Sequence, residues 1–478
     1  MNPPDTTVVI RASAGTGKTY QLTNRFLGLI KDGVPPDQIM AVTFTRLAAG
    51  EILERLLFRL ATAAMNVEEC NKLAKAIGDL SFTRERCLNL LQELTASLHR
   101  IRVETLDAYF AQLARSFSLE VGLPPNWEIV EEVQDRQLRW EALEETIVDD
   151  GKKTISRLLK VLFQGEAKRG ISSSLFGTIN NLYSVLLETE PNAWSNFPNL
   201  TQLDADELRA AIDKLRSAEI PSHKKIQEYT QQNIEAAETA DWVGFVSKGP
   251  ISKILEGSPS YYGKPFSESF LAAANKIISH AQAFIVRQLQ HQTEATYELL
   301  EVFHKHYSRL KHRNRGIRFE DVTNSLMELP SLAAADEQSF RMDAEISHLL
   351  VDEFQDTSLR QWQILQPLAE RIAGGEPTLF ETAKSSFFCV GDVKQAIYGW
   401  RGGRSEIFDA LENQLKGIQQ RNLNESFRSS PAVIEVVNRV FRNIGTYEKL
   451  ESVQEVVGQW SEAFPVHKTS LQEMPGFV

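Results

Sequence analysis

Residues 8–19 read VVIRASAGTGKT, and this stretch decides the fold class of the chain. A short β-branched run, Thr7 to Ile10, leads into a loop of small residues, and a helical pattern follows from Lys18 to about Lys31. This order of strand, glycine-rich loop and helix is the setting that a phosphate-binding P-loop requires. The loop departs from the usual pattern at Ala12, which stands where the first glycine is usual. An accidental glycine-rich turn is the alternative interpretation.

The small residues of this loop allow backbone N–H groups to approach a bound triphosphate, and the N-terminus of the following helix adds positive potential. Lys18 is expected to reach the β- and γ-phosphates of ATP, and Thr19 to place its hydroxyl on Mg²⁺. The sequence therefore predicts a site for ATP and Mg²⁺. The nucleotide-binding residues are predicted to be Ala12, Ser13, Ala14, Gly15, Thr16, Gly17, Lys18 and Thr19.

Strand and helix patterns alternate around this loop. Residues 39–44, IMAVTF, read as a second buried strand, and Ala48 to Leu60 as a second helix. Further strand patterns follow at Ser347–Val351, Ser386–Val390 and Ile418–Leu423. Between about residues 113 and 335 long helical patterns dominate and strand patterns are scarce. We therefore predict an α/β fold, in which a parallel P-loop sheet is interrupted by a large, mostly helical insertion.

Composition limits the classes of protein that the chain can belong to. Its 478 residues correspond to roughly three domains. With 52 Lys and Arg against 63 Asp and Glu, the net charge is −11, so a nucleic-acid contact must come from a local groove. The three cysteines are far apart and predict no disulfide or zinc framework. We find no signal peptide and no long apolar run, which predicts a cytoplasmic protein without membrane spans.

A second motif ends the strand pattern before Asp352. Two adjacent carboxylates, Asp352 and Glu353, follow the apolar residues 349–351. Asp352 is expected to hold the metal directly or through water, and Glu353 to act as general base towards an attacking water. An acidic turn at a strand end is a common alternative when such a pair occurs alone. Together with an upstream P-loop, the pair indicates nucleotide hydrolysis.

The two motifs together indicate a family. Residues 352–357, DEFQDT, resemble motif II of the UvrD/Rep-type superfamily 1 helicases. Three further segments resemble motifs Ia, III and IV in family order: residues 41–51, residues 390–402 (VGDVKQAIYGWRG) and residues 423–429 (LNESFRS). Residues 316–322, GIRFEDV, and the strings ASAGTGKT and GDVKQAIY are more similar to the RecB/AddA branch. The resemblance implies a split RecA-like ATPase domain.

The resemblance also implies roles for individual residues. Gln395 would sense the γ-phosphate, and Arg428 would act as an arginine finger. Phe427 would stack on the adenine, opposite Tyr20. The residues that would contact single-stranded DNA are Phe44, Arg46, Tyr398 and Trp400. Aromatic side chains can bind any base by stacking, but Phe44 and Tyr398 have a core role as the alternative.

Some expected family features differ or are missing. Asp107 stands where motif Ib usually has a histidine, which puts that DNA contact in doubt. Motifs V and VI do not occur before Val478, so we interpret the chain as the N-terminal portion of a longer motor, weak or inactive in unwinding by itself. The predicted domains are a first RecA-like domain at 1–112 plus 336–425, a helical insertion at 113–335 and an incomplete second RecA-like domain at 426–478.

The resulting functional hypothesis is an ATP-driven translocase or helicase on single-stranded DNA, acting at duplex ends in double-strand-break repair. The resemblance implies 3′-to-5′ polarity and a RecC/AddB-like partner subunit. The alternatives are a P-loop ATPase unrelated to DNA and a non-catalytic, nucleotide-gated DNA-binding subunit. The basic run Lys305 to Arg318 predicts either a DNA-tracking surface or a solvated helix end.

Overall fold

The computed structural model describes residues 7–149, 171–327, 341–342, 345–374, 385–396, 407–415 and 417–476. The chain forms two compact units, one made of Met1–Ile129 with Ile317–Val478 and the other of Val130–Gly316. The second unit is narrower than the insertion expected at 113–335. The reason is that side chains on both flanks, such as Phe117, Trp127 and Val322, are buried in an apolar core of the first unit.

A six-stranded parallel sheet forms the centre of the first unit. Its strands are β1 (Val8–Ala12), β2 (Ile39–Thr43), β3 (Arg102–Thr105), β4 (His348–Val351), β5 (Ser386–Gly391) and β6 (Gln419–Leu423). The spatial order is β6-β1-β5-β4-β2-β3. Strands β1, β5 and β4 therefore lie next to one another, and their carboxyl ends carry the P-loop and the two downstream motifs.

Helices cover both faces of this sheet, which explains why its inner strands are continuous apolar runs. The side chains of β1 alternate between two apolar clusters, with Val9 in one and Val8 and Ile10 in the other. The helices of this unit are α1 (Lys18–Lys31), α2 (Arg46–Met65), α3 (Val67–Ile77), α4 (Arg84–Ala96), α5 (Leu106–Ser116), α13 (Phe319–Met327), α14 (Leu359–Gly374), α15 (Ile407–Gln414), α16 (Pro431–Arg442) and α17 (Gln454–Ala463).

The second unit is almost entirely helical. Its helices are α6 (Glu132–Asp149), α7 (Ile171–Glu188), α8 (Ala205–Ser217), α9 (Lys224–Glu238), α10 (Trp242–Ser247), α11 (Gly249–Leu255) and α12 (Glu268–Asn314). Helix α12 has 47 residues and contributes side chains to two separate apolar clusters. In the described ranges, no helix has both the length and the apolar character that a bilayer crossing requires.

The predicted fold class is confirmed: a parallel sheet covered by helices, with a mostly helical unit inserted into its chain. The region after Ser429 is more ordered than the sequence indicated. Beyond α16 it contains α17 and a short strand, β8 (Lys468–Thr469), which pairs in parallel with β7 (Glu425–Ser426). These residues group with the first unit, and their assignment to a second RecA-like domain stays a prediction.

Candidate nucleotide-binding site

The loop after β1 is closed by its own hydrogen bonds. The Thr16 hydroxyl donates to the Ser13 carbonyl over 2.7 Å, and the Ser13 N–H donates to Thr16 Oγ1 over 3.2 Å. Gly15 and Gly17 have φ angles of 72° and 87°, in the left-handed region that glycine adopts without strain. The result is a tight turn that directs the chain from β1 into α1.

The start of α1 differs from the starts of its neighbours. Helices α2, α3, α4 and α5 are capped by side chains that accept a first-turn N–H: Thr45, Asn66, Thr83 and Thr105. Helix α1 has Gly17 at its N-cap, without a side-chain cap and without an acidic residue in its first turn. Its first N–H groups are therefore suited to an anionic ligand.

Lys18 and Glu353 meet across the cleft between the loop and the end of β4. Lys18 Nζ lies 2.6 Å from Glu353 Oε2, although 335 residues separate them in the chain. Glu353 has a φ of 50°, a left-handed conformation that is uncommon for a residue with a side chain. Such strain is often found at functional sites, and here the turn aims the carboxylate at the P-loop lysine.

Two further carboxylates are buried at the same strand end. Burial, followed by the charge of Glu353, raises the pKa of Asp352 to about 7 and that of Asp356 to about 6. Asp352 is 5% exposed. Three carboxyl groups crowded around one lysine leave a local excess of negative charge, so the donor set fits a divalent cation.

The segment after β6 packs against the P-loop. The Phe427 N–H donates to the Gly15 carbonyl over 2.8 Å. A Cβ placed on Gly15 would lie only 2.8 Å from Arg428 Cβ, so a larger residue would displace Arg428. The Phe427 ring is 61% exposed. Tyr20 is also exposed, and the Arg59 guanidinium carbon lies 4.4 Å from its ring centroid.

Ser13 connects the loop to two residues that sequence reasoning missed. Lys394 Nζ donates to Ser13 Oγ over 2.9 Å, and His467 Nε2 lies 2.5 Å from the same oxygen. Burial and the charge of Lys394 lower the pKa of His467, so a neutral ring can accept the Ser13 proton. The GDVKQ string contained a signal for Lys394, because it flanks Gln395. No sequence pattern marked His467.

The comparison with protein families agrees with this geometry. The model of the UvrD/REP helicase N-terminal domain matches residues 1–416 of the chain. The chain belongs to this family. The match covers the P-loop, the Asp352/Glu353 pair and the Asp392–Gln395 turn, so all three elements of the site lie within it.

Relatives of this UvrD/REP family chain include proteins named as A-type subunits of an ATP-dependent helicase/nuclease. That of Streptococcus equi subsp. zooepidemicus (strain H70) is 24% identical over 491 residues, which cover 91% of this chain and 37% of the relative. That of Syntrophomonas wolfei is 23% identical over 501 residues, covering 94% of this chain and 38% of the relative. The chain thus spans little more than a third of these relatives. The predicted resemblance to the RecB/AddA branch is confirmed.

The fold brings together only some of the residues predicted to bind ligands. Ala12 is buried at the end of β1 and Ala14 is exposed in the loop, while the lysine, acidic and arginine positions converge as described above. Gln395 is partly buried, and its N–H donates to the Asp392 carbonyl over 2.8 Å. The side chain from this turn that bonds the P-loop is Lys394.

The structure describes only two of the predicted DNA-binding residues. Phe44 is partly buried directly after β2, and Arg46 is exposed as the first residue of α2. Tyr398 and Trp400 lie outside the described residues. The roles of all four stay predictions. Asp107, at the position of motif Ib, accepts a hydrogen bond from Gln361 Nε2 over 3.1 Å.

The basic run before β4 belongs to the end of α12. Arg309 pairs with Glu145 and Arg313 with Glu141, each over 2.7 Å. These ion pairs favour the solvated helix end over the DNA-tracking surface, because a paired guanidinium has less charge to offer a phosphate.

Proposed function

We propose that the chain binds ATP with Mg²⁺ and supplies the nucleotide-hydrolysing part of a translocase or helicase motor on single-stranded DNA. The observation that carries this proposal is the 2.6 Å contact between Lys18 Nζ and Glu353 Oε2. It supports a single cleft in which a phosphate-binding loop faces an acidic strand end. Lys18 would bind the β- and γ-phosphates there.

Hydrolysis would proceed by attack of water on the γ-phosphorus, with Glu353 accepting the water proton and ADP leaving. Lys18 occupies a carboxylate oxygen of Glu353 in the described structure. A bound triphosphate would attract the Lys18 ammonium and release that oxygen to the water. Arg428, which packs on the loop at Gly15, would neutralise the charge that develops on the transferred phosphoryl group.

The residues that would hold Mg²⁺ are Asp352 and Thr19. The raised pKa of Asp352 reflects a buried carboxyl group beside a second charge, an environment that a cation relieves. When bound, the ion neutralises the phosphate oxygens and fixes the triphosphate. Thr19 is the second residue of α1 and is partly buried, next to the lysine that faces the acidic pair.

The nucleic-acid part of the proposal rests on family membership and on the names of the relatives. We propose single-stranded DNA at duplex ends as the track, 3′-to-5′ movement, and a RecC/AddB-like partner subunit in double-strand-break repair. Phe44 and Arg46 follow the end of β2, directly beyond the strand that pairs with β4. A groove at this edge would give the acidic chain the local contact that it requires.

The test uses the 478-residue chain with a fluorescent ATP analogue, radiolabelled ATP and a thymidine oligonucleotide. Glu353→Gln should retain nucleotide binding and slow hydrolysis by roughly 10²–10⁴-fold, because it loses the proton acceptor. Glu370→Gln, an exposed substitution of the same type in α14, should behave like the wild type. Equal hydrolysis by the wild type and Glu353→Gln would contradict the proposal.

The alternative function has a distinct outcome in the same experiment. A non-catalytic, nucleotide-gated subunit would bind ATP and oligonucleotide, and each ligand would change the affinity of the other. It would show no hydrolysis even when the chain is in excess over ATP. Failure of the wild type to bind nucleotide would contradict both functions.

A further inference from the structure

The side chain of Gln355 joins the ends of two neighbouring strands, and neither the sequence motifs nor the family relationship gave it a role. Its Nε2 donates to Glu353 Oε2 over 2.6 Å, and its Oε1 accepts the Asp392 N–H over 2.8 Å. The side chain is 1% exposed. One buried carboxamide therefore connects the proposed general base after β4 to the turn that follows β5.

The orientation of this amide follows from its partners. A carboxylate needs a donor and a backbone N–H needs an acceptor, so exchanging the amide oxygen and nitrogen would remove both bonds. Space is equally restricted. A Cβ on Gly391 would lie 2.4 Å from Gln355 Oε1 and 2.6 Å from the Phe408 ring. The absence of a side chain at Gly391 thus leaves the room that the amide occupies.

Glu353 depends on this amide because its other side-chain partner is Lys18. Both partners bind the same oxygen, Oε2. When Lys18 turns to a phosphate, Gln355 is the remaining hydrogen-bond partner of the Glu353 carboxylate among the described residues. A carboxylate on a left-handed turn would otherwise rotate freely and lose its aim at the attacking water.

The other end of the amide leads back to the P-loop. The buried Asp392 carboxylate accepts the Lys394 N–H over 3.1 Å, and Lys394 Nζ lies 2.9 Å from Ser13 Oγ. The order of contacts is therefore Glu353, Gln355, Asp392, Lys394 and Ser13. The position of the base is mechanically tied to the loop that would hold the triphosphate.

We propose that Gln355 is a positioning residue for ATP hydrolysis, whose carboxamide holds the Glu353 carboxylate towards the attacking water and ties it to the Asp392–Gln395 turn. This inference rests on the proposed function. A merely structural role would require only the bond from the Asp392 N–H, and it would affect hydrolysis in the same proportion whether or not Glu353 is present.

The experiment measures single-turnover hydrolysis of radiolabelled ATP by the full chain, together with the Kd of a fluorescent ATP analogue and the melting temperature. Gln355→Met preserves length and removes both hydrogen bonds. It should slow hydrolysis roughly 10–100-fold, as small displacements of a catalytic group do, with the Kd changed by less than about threefold. Gln361→Met removes the bonds of another glutamine, to the Ser358 N–H and Asp107, and should leave the rate unchanged.

The decisive comparison is the same substitution in a Glu353→Gln background. If Gln355 acts through Glu353, Gln355→Met should slow that variant by less than about twofold more. Equal slowing in both backgrounds, or slowing of less than about threefold in the wild type, overturns the positioning role. If Gln355→Met does not fold, Gln355→Asn, whose shorter amide cannot reach both partners, takes its place with the same expectations. A wild type without hydrolysis is a different result, because it overturns the proposed function itself.

Discussion

The cleft of the first unit and the interior of the second unit bury different kinds of side chain. The cleft buries Asp352, Asp356 and Asp392 at the ends of neighbouring strands. The second unit buries mainly aliphatic and aromatic groups along α12, and its buried Arg139 is bonded to Asp135 and Asn180. Crowded buried charge destabilises a fold, so its presence indicates a site that a ligand completes.

This difference predicts two separable classes of variant. Substitutions in the cleft should alter ligand binding and leave stability unchanged or increased, whereas substitutions in the α12 core should lower stability and leave ligand affinity unchanged. Four variants test the comparison, in descending order of the expected change in free energy.

The largest effect is expected for Phe303→Ala in the second unit. The Phe303 ring is fully buried and lies against Tyr183 and Tyr307, with centroids 5.5 and 5.4 Å apart. Its loss should lower the free energy of unfolding by about 3–5 kcal/mol, measured by denaturant titration. Phe284→Ala, at a half-exposed ring of the same helix, should have a much smaller effect. A parallel loss of nucleotide affinity in folded Phe303→Ala would break the comparison.

The next largest effect is expected for Lys18→Ala. Removing a hydrogen-bonding ammonium from the triphosphate should weaken nucleotide binding by roughly 10–100-fold, because bonds to charged groups contribute about 1.5–3 kcal/mol. Calorimetric titration measures the affinity. Lys31→Ala, at the far end of α1, is the matched control and should bind normally. Unchanged affinity in Lys18→Ala would remove the phosphate site from the loop.

A smaller effect is expected for Phe427→Ala. Loss of adenine stacking should raise the KM for ATP by about 2–10-fold, which corresponds to roughly 0.5–1.5 kcal/mol for a stacked aromatic pair. Phe427→Tyr keeps the ring and should have a KM close to that of the wild type. Because the ring is exposed, melting temperatures should be equal in all three proteins. An unaltered KM in Phe427→Ala would show that the adenine lies elsewhere.

The smallest effect is expected for Asp356→Asn, and it depends on pH. The folded pKa of Asp356 is raised to about 6 from the ordinary 3.8, so between these values the folded chain keeps a proton that the unfolded chain releases. Stability therefore falls as pH rises through this window. The variant should melt roughly 2–4 °C above the wild type at pH 8 and equal it at pH 4. Asp213→Asn, an exposed position, should show no such trend.

Most elements of both units were predictable from local patterns. Contiguous apolar runs marked β1, β4 and β5, and helical periodicity marked α12, because buried strands and amphipathic helices each impose a repeat on nearby residues. The edge strand β3 was not marked. Its sequence RVET is only partly buried, so it lacks the apolar run that distinguishes a central strand.

The candidate site was predictable wherever a motif is short. The P-loop, Asp352 and Glu353 belong to contiguous segments whose chemistry can be read directly from their residue types. Local information was insufficient for Gln355, Lys394 and His467, since their partners lie in other segments and polar contacts between such segments follow no sequence period. Only the order of strands in the sheet brings these side chains to the P-loop, and that order depends on which apolar faces pack together over the whole unit.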